Sequence, residues 1–294
     1  MKIIRTKFNK EGDMIYISHL DLQQLLQRAF RRAEIDLVHS QGFNPHPKIS
    51  YGNALALGTE SQGEYVDIEI EDDITVEEFL KRINEELSES NEKLEKAYLD
   101  MVQTLRYTVE AKDTYTRGHS DRVSEYSVLI GEKLGLPEDQ IKTLRIGGLF
   151  HDIGKIGIPD SILLKPDKLS DDEYSQIKNH PSIGAHILGS AEIFKDIIPI
   201  VKHHHERYDG NGYPSRLKGE EIPYIARIAA VADTFDAMTS RRSYRGPIDI
   251  EHVKEEIKRC EGTQFDPQIA EVFLDILNND YDKIKDIQEK YLSE

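Results

Sequence analysis

The sequence predicts a small α+β module followed by an all-α helical bundle, in a chain of 294 residues. Residues 1–87 contain two alternating strand patterns and two capped helical patterns, whereas from Thr116 onward every long segment follows helical spacing. Residues 88–112 lack glycine and proline and are expected to form one helix. The predicted domains are therefore a module at 1–87, a helical linker at 88–112 and a bundle at 113–294.

The N-terminal module follows the order strand, helix, strand, helix. Apolar side chains alternate with charged ones at 4–8 and again at 66–70, as expected of half-buried strands. Ser18 and Thr75 each precede a segment with apolar residues at helical spacing, the position of an N-cap. The stretch 40–58 is rich in Gly, Pro, Asn and Ser and is expected to be irregular. In the first helix, Leu22, Leu25, Leu26 and Ala29 are expected to share one face.

Charge and composition exclude several classes of protein. The chain has 38 basic and 54 acidic residues, so it is a poor general binder of nucleic acid polymers, which need clustered Lys and Arg. No apolar run approaches the roughly 18 residues that span a bilayer, and the start of the chain lacks the apolar core of a secretory signal. The single cysteine, Cys260, cannot form an internal disulfide. We therefore expect a cytoplasmic protein without a membrane span.

The helical linker carries apolar residues at heptad-like spacing. This spacing permits a homodimer in which two copies pair through 88–112 as a coiled coil. A helix that lies on the following domain explains the spacing equally well. The apolar positions are Leu94, Met101, Leu105 and Val109.

Histidines are concentrated in the predicted bundle, close to several aspartates. The candidate ligand groups are separated by helix-plus-loop distances, so they could converge in the middle of a helical bundle. Imidazole and carboxylate together suit borderline divalent metals such as iron, manganese or zinc. Six or more ligands are used more economically by two metals than by one, and Asp152, directly after His151, is well placed to bridge them. The candidates are His119, His151, Asp152, His180, His204, His205 and Asp233.

Two long motifs in this region carry a resemblance to a known family. They are HDIGKIGIPD at 151–160 and HHERYDGNGYP at 204–214, with similar flanking blocks at 111–122 and 231–245. On these motifs, residues from about 95 to 285 closely resemble the HD-GYP family of metal-dependent phosphohydrolases. The resemblance implies an HD-type helical bundle and a substrate, cyclic di-GMP, that this family is known to open.

The resemblance also implies how the ligands are shared between two metals. One metal would be held by His119, His151, Asp152 and Asp233, and the second by His180, His204 and His205, with Asp152 as the bridge. Some family members carry a glutamate four residues before the first histidine and bind a third metal. Tyr115 stands there in this chain, which favours two metals. Iron or manganese is expected, with zinc, magnesium and nickel as alternatives.

The expected reaction is metal-dependent hydrolysis of cyclic di-GMP to pGpG, with onward cleavage to GMP left open. Two metals about 3.5–4 Å apart lower the pKa of a water between them and stabilise both oxygens of an in-line displacement at phosphorus. Asp152 and Lys155 are the catalytic candidates. Ser243 stands where the family usually has proline, near two arginines that resemble its phosphate-binding residues. The residues expected to bind substrate are Lys155, Tyr213, Arg242 and Arg245.

Two other functions remain open from the sequence. The same site could act on another cyclic dinucleotide or nucleotide, or the protein could be a cyclic di-GMP sensor whose output is the N-terminal module. All the predicted ligand positions are occupied by suitable residues, which argues against a purely degenerate sensor.

The N-terminal module resembles a bacterial domain of unknown function that is usually found beside or fused to radical-SAM proteins. The segments that carry this resemblance are 16–33, 39–52 and 56–70. That domain is normally longer, so this copy looks truncated where the linker begins. The resemblance implies no activity, and a regulatory or partner-docking role is a hypothesis based on the position of the module ahead of a helix.

Overall fold

The structure of the protein, a computed structural model, describes residues 2–10, 18–52, 60–71, 73–112, 118–240 and 248–292. The chain divides into two compact units, residues 1–100 and residues 101–294. The division falls inside one long helix, α2 (Val76–Lys112), which joins the last predicted helix of the module and the predicted linker into a single element. No glycine or proline interrupts this segment, so nothing in its sequence ends the helix at residue 87.

The first unit contains a three-stranded antiparallel sheet in the order β1-β3-β2. The strands are β1 (Lys2–Lys10), β2 (Ile49–Tyr51) and β3 (Ser61–Ile70). Val66, Ile68 and Ile70 are fully buried on one face, which confirms the predicted alternation. The short strand β2 lies in the stretch 40–58, which was expected to be irregular. The sequence did not predict it because three residues are too few to show an alternation.

Helix α1 (His19–Arg32) covers the buried face of this unit with an apolar stripe. Ser18 caps it, since the Ser18 hydroxyl accepts a hydrogen bond from the Asp21 backbone N–H at 3.1 Å. Leu22 and Phe30 are buried, and the Phe30 ring packs against Phe79 with centroids 5.9 Å apart. Leu25 lies at the edge of the shared face and is 47% exposed. The buried and half-buried side chains follow Leu22 in steps of four residues, at Leu26 and Phe30.

The second unit is built from helices, as predicted. In chain order they are α3 (His119–Lys133), α4 (Glu138–Phe150), α5 (Asp160–Leu163), α6 (Asp171–Ile177), α7 (His180–Leu188), α8 (Ile198–His203), α9 (Tyr224–Thr239), α10 (Ile250–Arg259), α11 (Pro267–Asn279) and α12 (Tyr281–Leu292). Short 3-10 helices lie at Ile153–Gly157, Glu192–Ile197 and Gly219–Glu221. In the described part of the chain, no helix is at once long enough and apolar enough to cross a membrane.

The core of the second unit brings α3, α4 and α9 together. The Phe235 ring makes edge contacts with Tyr126 at 5.0 Å and with Phe273 at 4.9 Å between centroids. Gly148 allows α4 to approach α3 closely, because a Cβ at that position would lie only 2.5 Å from Ser124 Cα. This packing places the N-terminus of α3 and the C-terminus of α4 beside the middle of α9.

Candidate metal centre

The predicted ligands of the second unit converge in space. Within the described residues, two groups of side chains each place their ligand atoms within 4.8 Å of one another. One group is His119, His151 and Asp233; the other is Asp152, His180, His204 and His205.

Helix ends position most of these side chains. His119 begins α3, His151 follows the last residue of α4, His180 begins α7 and His204 follows the last residue of α8. Asp233 projects from within α9. His119, His151, His180 and His204 are all buried, with at most 6% of each residue exposed. Four separate helices therefore deliver their termini to one buried point.

The Asp152 carboxylate lies between the two groups. Its Oδ1 is 3.2 Å from His180 Nε2, and its Oδ2 is 3.4 Å from His151 Nε2 and 3.8 Å from His119 Nε2. The two oxygens of Asp152 therefore face different sets of histidines. A carboxylate in this position can contribute one oxygen to each of two neighbouring cations, the arrangement of a bridging ligand.

Backbone carbonyls fix which ring nitrogen faces the cluster. The Nδ1 atoms of His151, His180 and His204 lie 2.7 Å from Gly148 O, 2.8 Å from Ile177 O and 3.0 Å from Val201 O, respectively. A carbonyl oxygen only accepts, so each Nδ1 donates a proton, and in the neutral ring each Nε2 keeps a lone pair directed into the cluster.

His151 Nε2 is buried and has no hydrogen-bond partner among the described residues. A buried polar atom without a partner is unfavourable, whereas a neutral imidazole nitrogen among carboxylates is a good donor to a divalent cation. The donor set of the cluster, nitrogen and oxygen without sulfur, thus fits divalent metal ions.

His119 is held by a side chain that sequence reasoning missed. His119 Nδ1 lies 2.7 Å from Asp236 Oδ2, and Arg122 donates two hydrogen bonds to the same carboxylate at 2.6 and 2.9 Å. The Ser240 hydroxyl donates a further one at 3.0 Å. Carboxylates that orient ligand histidines in this way tune metal sites. A signal existed, because Arg122 and Asp236 each follow a predicted ligand by three residues, one helical turn.

Burial and charge set the protonation states of the cluster. Burial lowers the pKa of His205 to about 4, and burial with the neighbouring histidine charges lowers the pKa of His204 well below its ordinary value. Burial opposes ionisation of Asp152, yet the charges of Lys155 and His151 hold the pKa of its carboxyl well below the usual range. Near neutral pH these groups are in the states that bind a cation, neutral imidazole and ionised carboxylate.

The pKa of His119 moves in the opposite direction. Burial alone would lower it, but hydrogen bonds and charge from Asp233 and Asp236 raise the pKa of His119 to about 9. Without a cation, His119 therefore carries a proton between these two carboxylates. A divalent cation bound at its Nε2 would displace that proton.

Lys155 lies directly at the cluster. Its ammonium is 2.7 Å from Asp152 Oδ2, within the 3-10 turn Ile153–Gly157 rather than a continued α-helix. Gly154 makes this turn possible, because a Cβ there would lie 1.8 Å from the His180 carbonyl oxygen. Only glycine allows the turn after Asp152 to pack against the start of α7.

The loop that follows His205 is held by Glu206. The buried Glu206 carboxylate accepts hydrogen bonds from the backbone N–H groups of Ser215 at 2.7 Å and Leu217 at 3.1 Å. Tyr213, in this loop, stacks on the His205 ring with centroids 4.8 Å apart. Burial, followed by the charges of Tyr174, Asp152 and Asp233, raises the pKa of the Tyr213 phenol, which therefore stays protonated. Tyr213 thus covers one side of the cluster.

Tyr115, Arg242, Ser243 and Arg245, which the sequence analysis discussed, lie outside the described residues. Their roles stay predictions. The same holds for the substrate-binding roles of Lys155 and Tyr213, although the structure brings both side chains to the cluster.

Comparison with known proteins gives two family matches. A family model described as "HD domain" matches residues 103–269. A second, described as "Uncharacterized protein conserved in bacteria (DUF2344)", matches residues 3–128 and reaches beyond residue 87, where the sequence-based resemblance ended.

Curated relatives match 60–65% of the chain. The chain is 41% identical over 177 residues to a cyclic di-GMP phosphodiesterase of Thermotoga maritima, covering 60% of this chain and 48% of that protein. It is 38% identical over 194 residues to the cyclic di-GMP phosphodiesterase response regulator RpfG of Xanthomonas campestris pv. campestris, covering 65% and 51%. It is 37% identical over 178 residues to the 3'3'-cGAMP-specific phosphodiesterase 2 of Vibrio cholerae, covering 60% and 34%. The chain thus spans about half or less of the length of these relatives.

Proposed function

The chain belongs to the HD domain family, and on this premise we propose that its second unit is a metal-dependent phosphodiesterase that hydrolyses cyclic di-GMP. The matches to named cyclic di-GMP phosphodiesterases confirm the resemblance expected from the sequence. The observation that carries the proposal is the Asp152 carboxylate, whose two oxygens face two separate groups of histidines.

The cluster is suited to divalent metal ions, and we propose that it holds two. His119, His151 and Asp233 would bind one, and His180, His204 and His205 the other, with Asp152 shared between them. Iron or manganese is the proposed pair, because mixed imidazole and carboxylate donors suit both; zinc, magnesium and nickel are the alternatives. When bound, the metals would supply Lewis-acid stabilisation of the phosphoryl oxygens and a water of lowered pKa.

The chain's own residues would orient and neutralise the substrate. Asp152 holds its place between the two groups through contacts on both oxygens, so it can keep two cations at a fixed separation. The Lys155 ammonium, now paired with Asp152 Oδ2, lies where a phosphate oxygen at the cluster could accept a hydrogen bond from it. Arg242 and Arg245 are proposed, from the resemblance alone, to bind phosphate as well.

We propose pGpG as the product, with onward cleavage to GMP left open. The names of the relatives support a cyclic dinucleotide as substrate. One relative is named for cyclic di-GMP and another for 3'3'-cGAMP, so the names support the class more strongly than the identity of the bases. A substrate panel of cyclic di-GMP, 3'3'-cGAMP and cyclic di-AMP, with product analysis, distinguishes these cases.

The test of the proposed function compares Asp152→Asn with Asp160→Asn. Both substitutions remove one carboxylate charge from the same motif, but Asp160 pairs with Lys112 at 2.8 Å and its side chain is 68% exposed. The wild type and Asp160→Asn should bind about two metal equivalents after anaerobic purification and convert cyclic di-GMP. Asp152→Asn should lose metal and turnover together.

Turnover by Asp152→Asn at normal metal content would contradict the proposed site. Binding of cyclic di-GMP by the wild type without turnover above a metal-free control would instead favour the sensor alternative.

We also propose that two copies of the chain associate through the α2 segment 88–112. Leu94 is 71% exposed and Met101, one heptad later, is 39% exposed, so both are available for such a contact. Sedimentation should show a dimer for the wild type and for the control Lys96→Gln, and a monomer for Leu94→Gln. A monomeric wild type would contradict this proposal.

We propose that the protein is cytoplasmic. The buried free thiol of Cys260 supports a reducing compartment.

The N-terminal unit is proposed to regulate the second unit or to dock a partner. Deletion of residues 1–87 should change turnover or oligomeric state; if neither changes and no partner is lost, the regulatory role is wrong.

A further inference from the structure

A lysine and a tyrosine stand beside the metal centre without a role in it. Tyr174 and Lys178 lie one helical turn apart at the end of α6, where the Lys178 N–H donates to Tyr174 O at 3.0 Å. The Lys178 ammonium lies 4.4 Å from the centroid of the Tyr174 ring and 5.7 Å from that of Tyr213. His180, a proposed metal ligand, follows two residues later, so the backbone of this pair is fixed relative to the cluster.

Lys178 differs in its charge environment from two other lysines of the second unit. Lys155 is paired with Asp152 at 2.7 Å, and Lys165 with Glu173 at 2.7 Å. Within the described ranges of the chain, no carboxylate oxygen lies within 4.0 Å of the Lys178 ammonium, although the whole chain carries a net charge of −16. Its neighbours are aromatic faces, which attract a cation but do not neutralise it.

Side-chain contacts form a path from the cluster to solvent, with Lys178 between two tyrosine rings. Tyr213 stacks on His205, Lys178 lies over Tyr213 and Tyr174, and the Tyr174 residue is 48% exposed. The path therefore ends in an uncompensated cation beside a partly exposed ring.

A cyclic dinucleotide has two phosphates and two bases. While one phosphodiester is held at the metal centre for cleavage, the second phosphate and its base must be held elsewhere. An ammonium without a carboxylate partner suits the second phosphate, and an exposed aromatic ring suits a base, since base–aromatic stacking is worth about 1–3 kcal/mol per base.

We propose that Lys178 and Tyr174 form a subsite for the half of a cyclic dinucleotide that is not being cut, Lys178 pairing with its phosphate and Tyr174 stacking on its base. This inference rests on the proposed function. It assigns both residues to substrate binding and neither to the chemical step.

The experiment uses two substrates and the full-length, metal-loaded protein. Cyclic di-GMP can reach the subsite, whereas bis(p-nitrophenyl) phosphate has a single phosphate and no nucleobase. Lys178→Gln should raise the KM for cyclic di-GMP about tenfold, leave kcat within about twofold, and leave cleavage of the small substrate unchanged. Lys178→Arg should retain most of the affinity, and the effect of Lys178→Gln should shrink as salt is raised.

Matched variants test whether the Tyr174 ring or its hydroxyl matters for binding, and whether the effect is specific to Lys178. Tyr174→Phe keeps the ring and should resemble the wild type, whereas Tyr174→Ala should raise the KM for cyclic di-GMP about five- to tenfold. Lys168→Gln, at an exposed lysine ahead of α6, should change neither substrate's kinetics.

Two results would overturn the subsite. An equal loss on both substrates in Lys178→Gln would mean that the lysine supports the fold of the centre, and an unchanged KM would remove it from substrate binding. Failure of the proposed function looks different, because the wild type would then cleave neither substrate. Equilibrium binding of cyclic di-GMP, measured on every variant, tests the subsite in that case too, since unchanged affinity in Lys178→Gln would refute it.

Discussion

Histidines in both units form a hydrogen bond from Nδ1 to a nearby backbone carbonyl, but those of the first unit are exposed and those of the second unit are buried. In the first unit, His39 Nδ1 lies 2.8 Å from Leu37 O and His46 Nδ1 lies 2.9 Å from Asn44 O, and both residues are exposed. In the second unit, His151 and His180 also bond through Nδ1 to nearby carbonyls, but their Nε2 atoms meet Asp152 in a buried cluster. A bond to the backbone therefore does not identify a ligand; the place where the second nitrogen points does.

The two units also differ in what they bury. The core of the first unit is apolar, from Ile4 and Phe30 to Val66 and Ile68. The second unit buries ionisable side chains as well, including Arg122 and Asp236. Even when such groups are paired, removing them from water can cost more than their attraction returns, so burying several of them lowers stability relative to an apolar core. This contrast, independent of any motif, supports the second unit as the place of the proposed chemistry.

The largest expected effect comes from His204→Ala compared with His46→Ala. His204→Ala removes a buried imidazole whose Nε2 faces the cluster, 3.4 Å from His180 Nε2, and turnover should fall on the order of a thousandfold or more. His46→Ala removes an exposed imidazole and should leave turnover within about twofold. Steady-state kinetics and metal analysis measure both. Similar losses of turnover in the two variants would mean that histidines of both units contribute to the reaction.

A second pair compares glycines. Gly154→Ala would force a Cβ to within 1.8 Å of the His180 carbonyl oxygen, and it should destabilise the second unit by about 3 kcal/mol. Gly52→Ala, in the first unit, brings a Cβ to an ordinary 3.7 Å from Tyr65 O and should change stability by about 0.5 kcal/mol or less. Urea unfolding followed by circular dichroism measures both. A tolerated Gly154→Ala would mean that the turn after Asp152 can move away from α7.

A smaller effect is expected for Asp236→Asn, which weakens the hold on His119 without touching the cluster directly. Metal affinity should fall about 10- to 100-fold, the usual loss when the carboxylate behind a ligand histidine is removed. Competition with a chelator measures the affinity, and Asp275→Asn, at a surface ion pair with Lys133, is the matched control. An unchanged affinity in Asp236→Asn would show that backbone packing alone orients His119.

The smallest effect is expected in the first unit. Ser18→Ala removes the cap of α1 and should cost about 1 kcal/mol of local stability. Hydrogen exchange of the α1 amides in the full chain should speed up about fivefold, while turnover on cyclic di-GMP stays unchanged. A change in turnover would mean that the first unit affects the reaction, and would support a regulatory role for it.

Local patterns in the sequence were enough for most elements and for the convergence of the proposed ligands. Strands β1 and β3 follow from alternation, and the ligands follow from two long motifs, from the blocks that flank them and from the position of His180 between them. Features that depend on distant partners were not predictable in the same way. The pairing of β2 with β3 and the bond between His119 and Asp236, 117 residues apart, arise only when separate segments meet. The exposure of Leu25 likewise depends on where α1 lies against the sheet.

The position of Glu206 has a consequence for anyone who wishes to exchange parts between HD domains. The Glu206 carboxylate accepts hydrogen bonds from the backbone at Ser215 and Leu217, so Glu206 holds the loop that carries Tyr213. A transplanted segment that began after Glu206 would lack the residue that holds this loop. The smallest transferable piece is therefore 204–217, imidazoles and loop together.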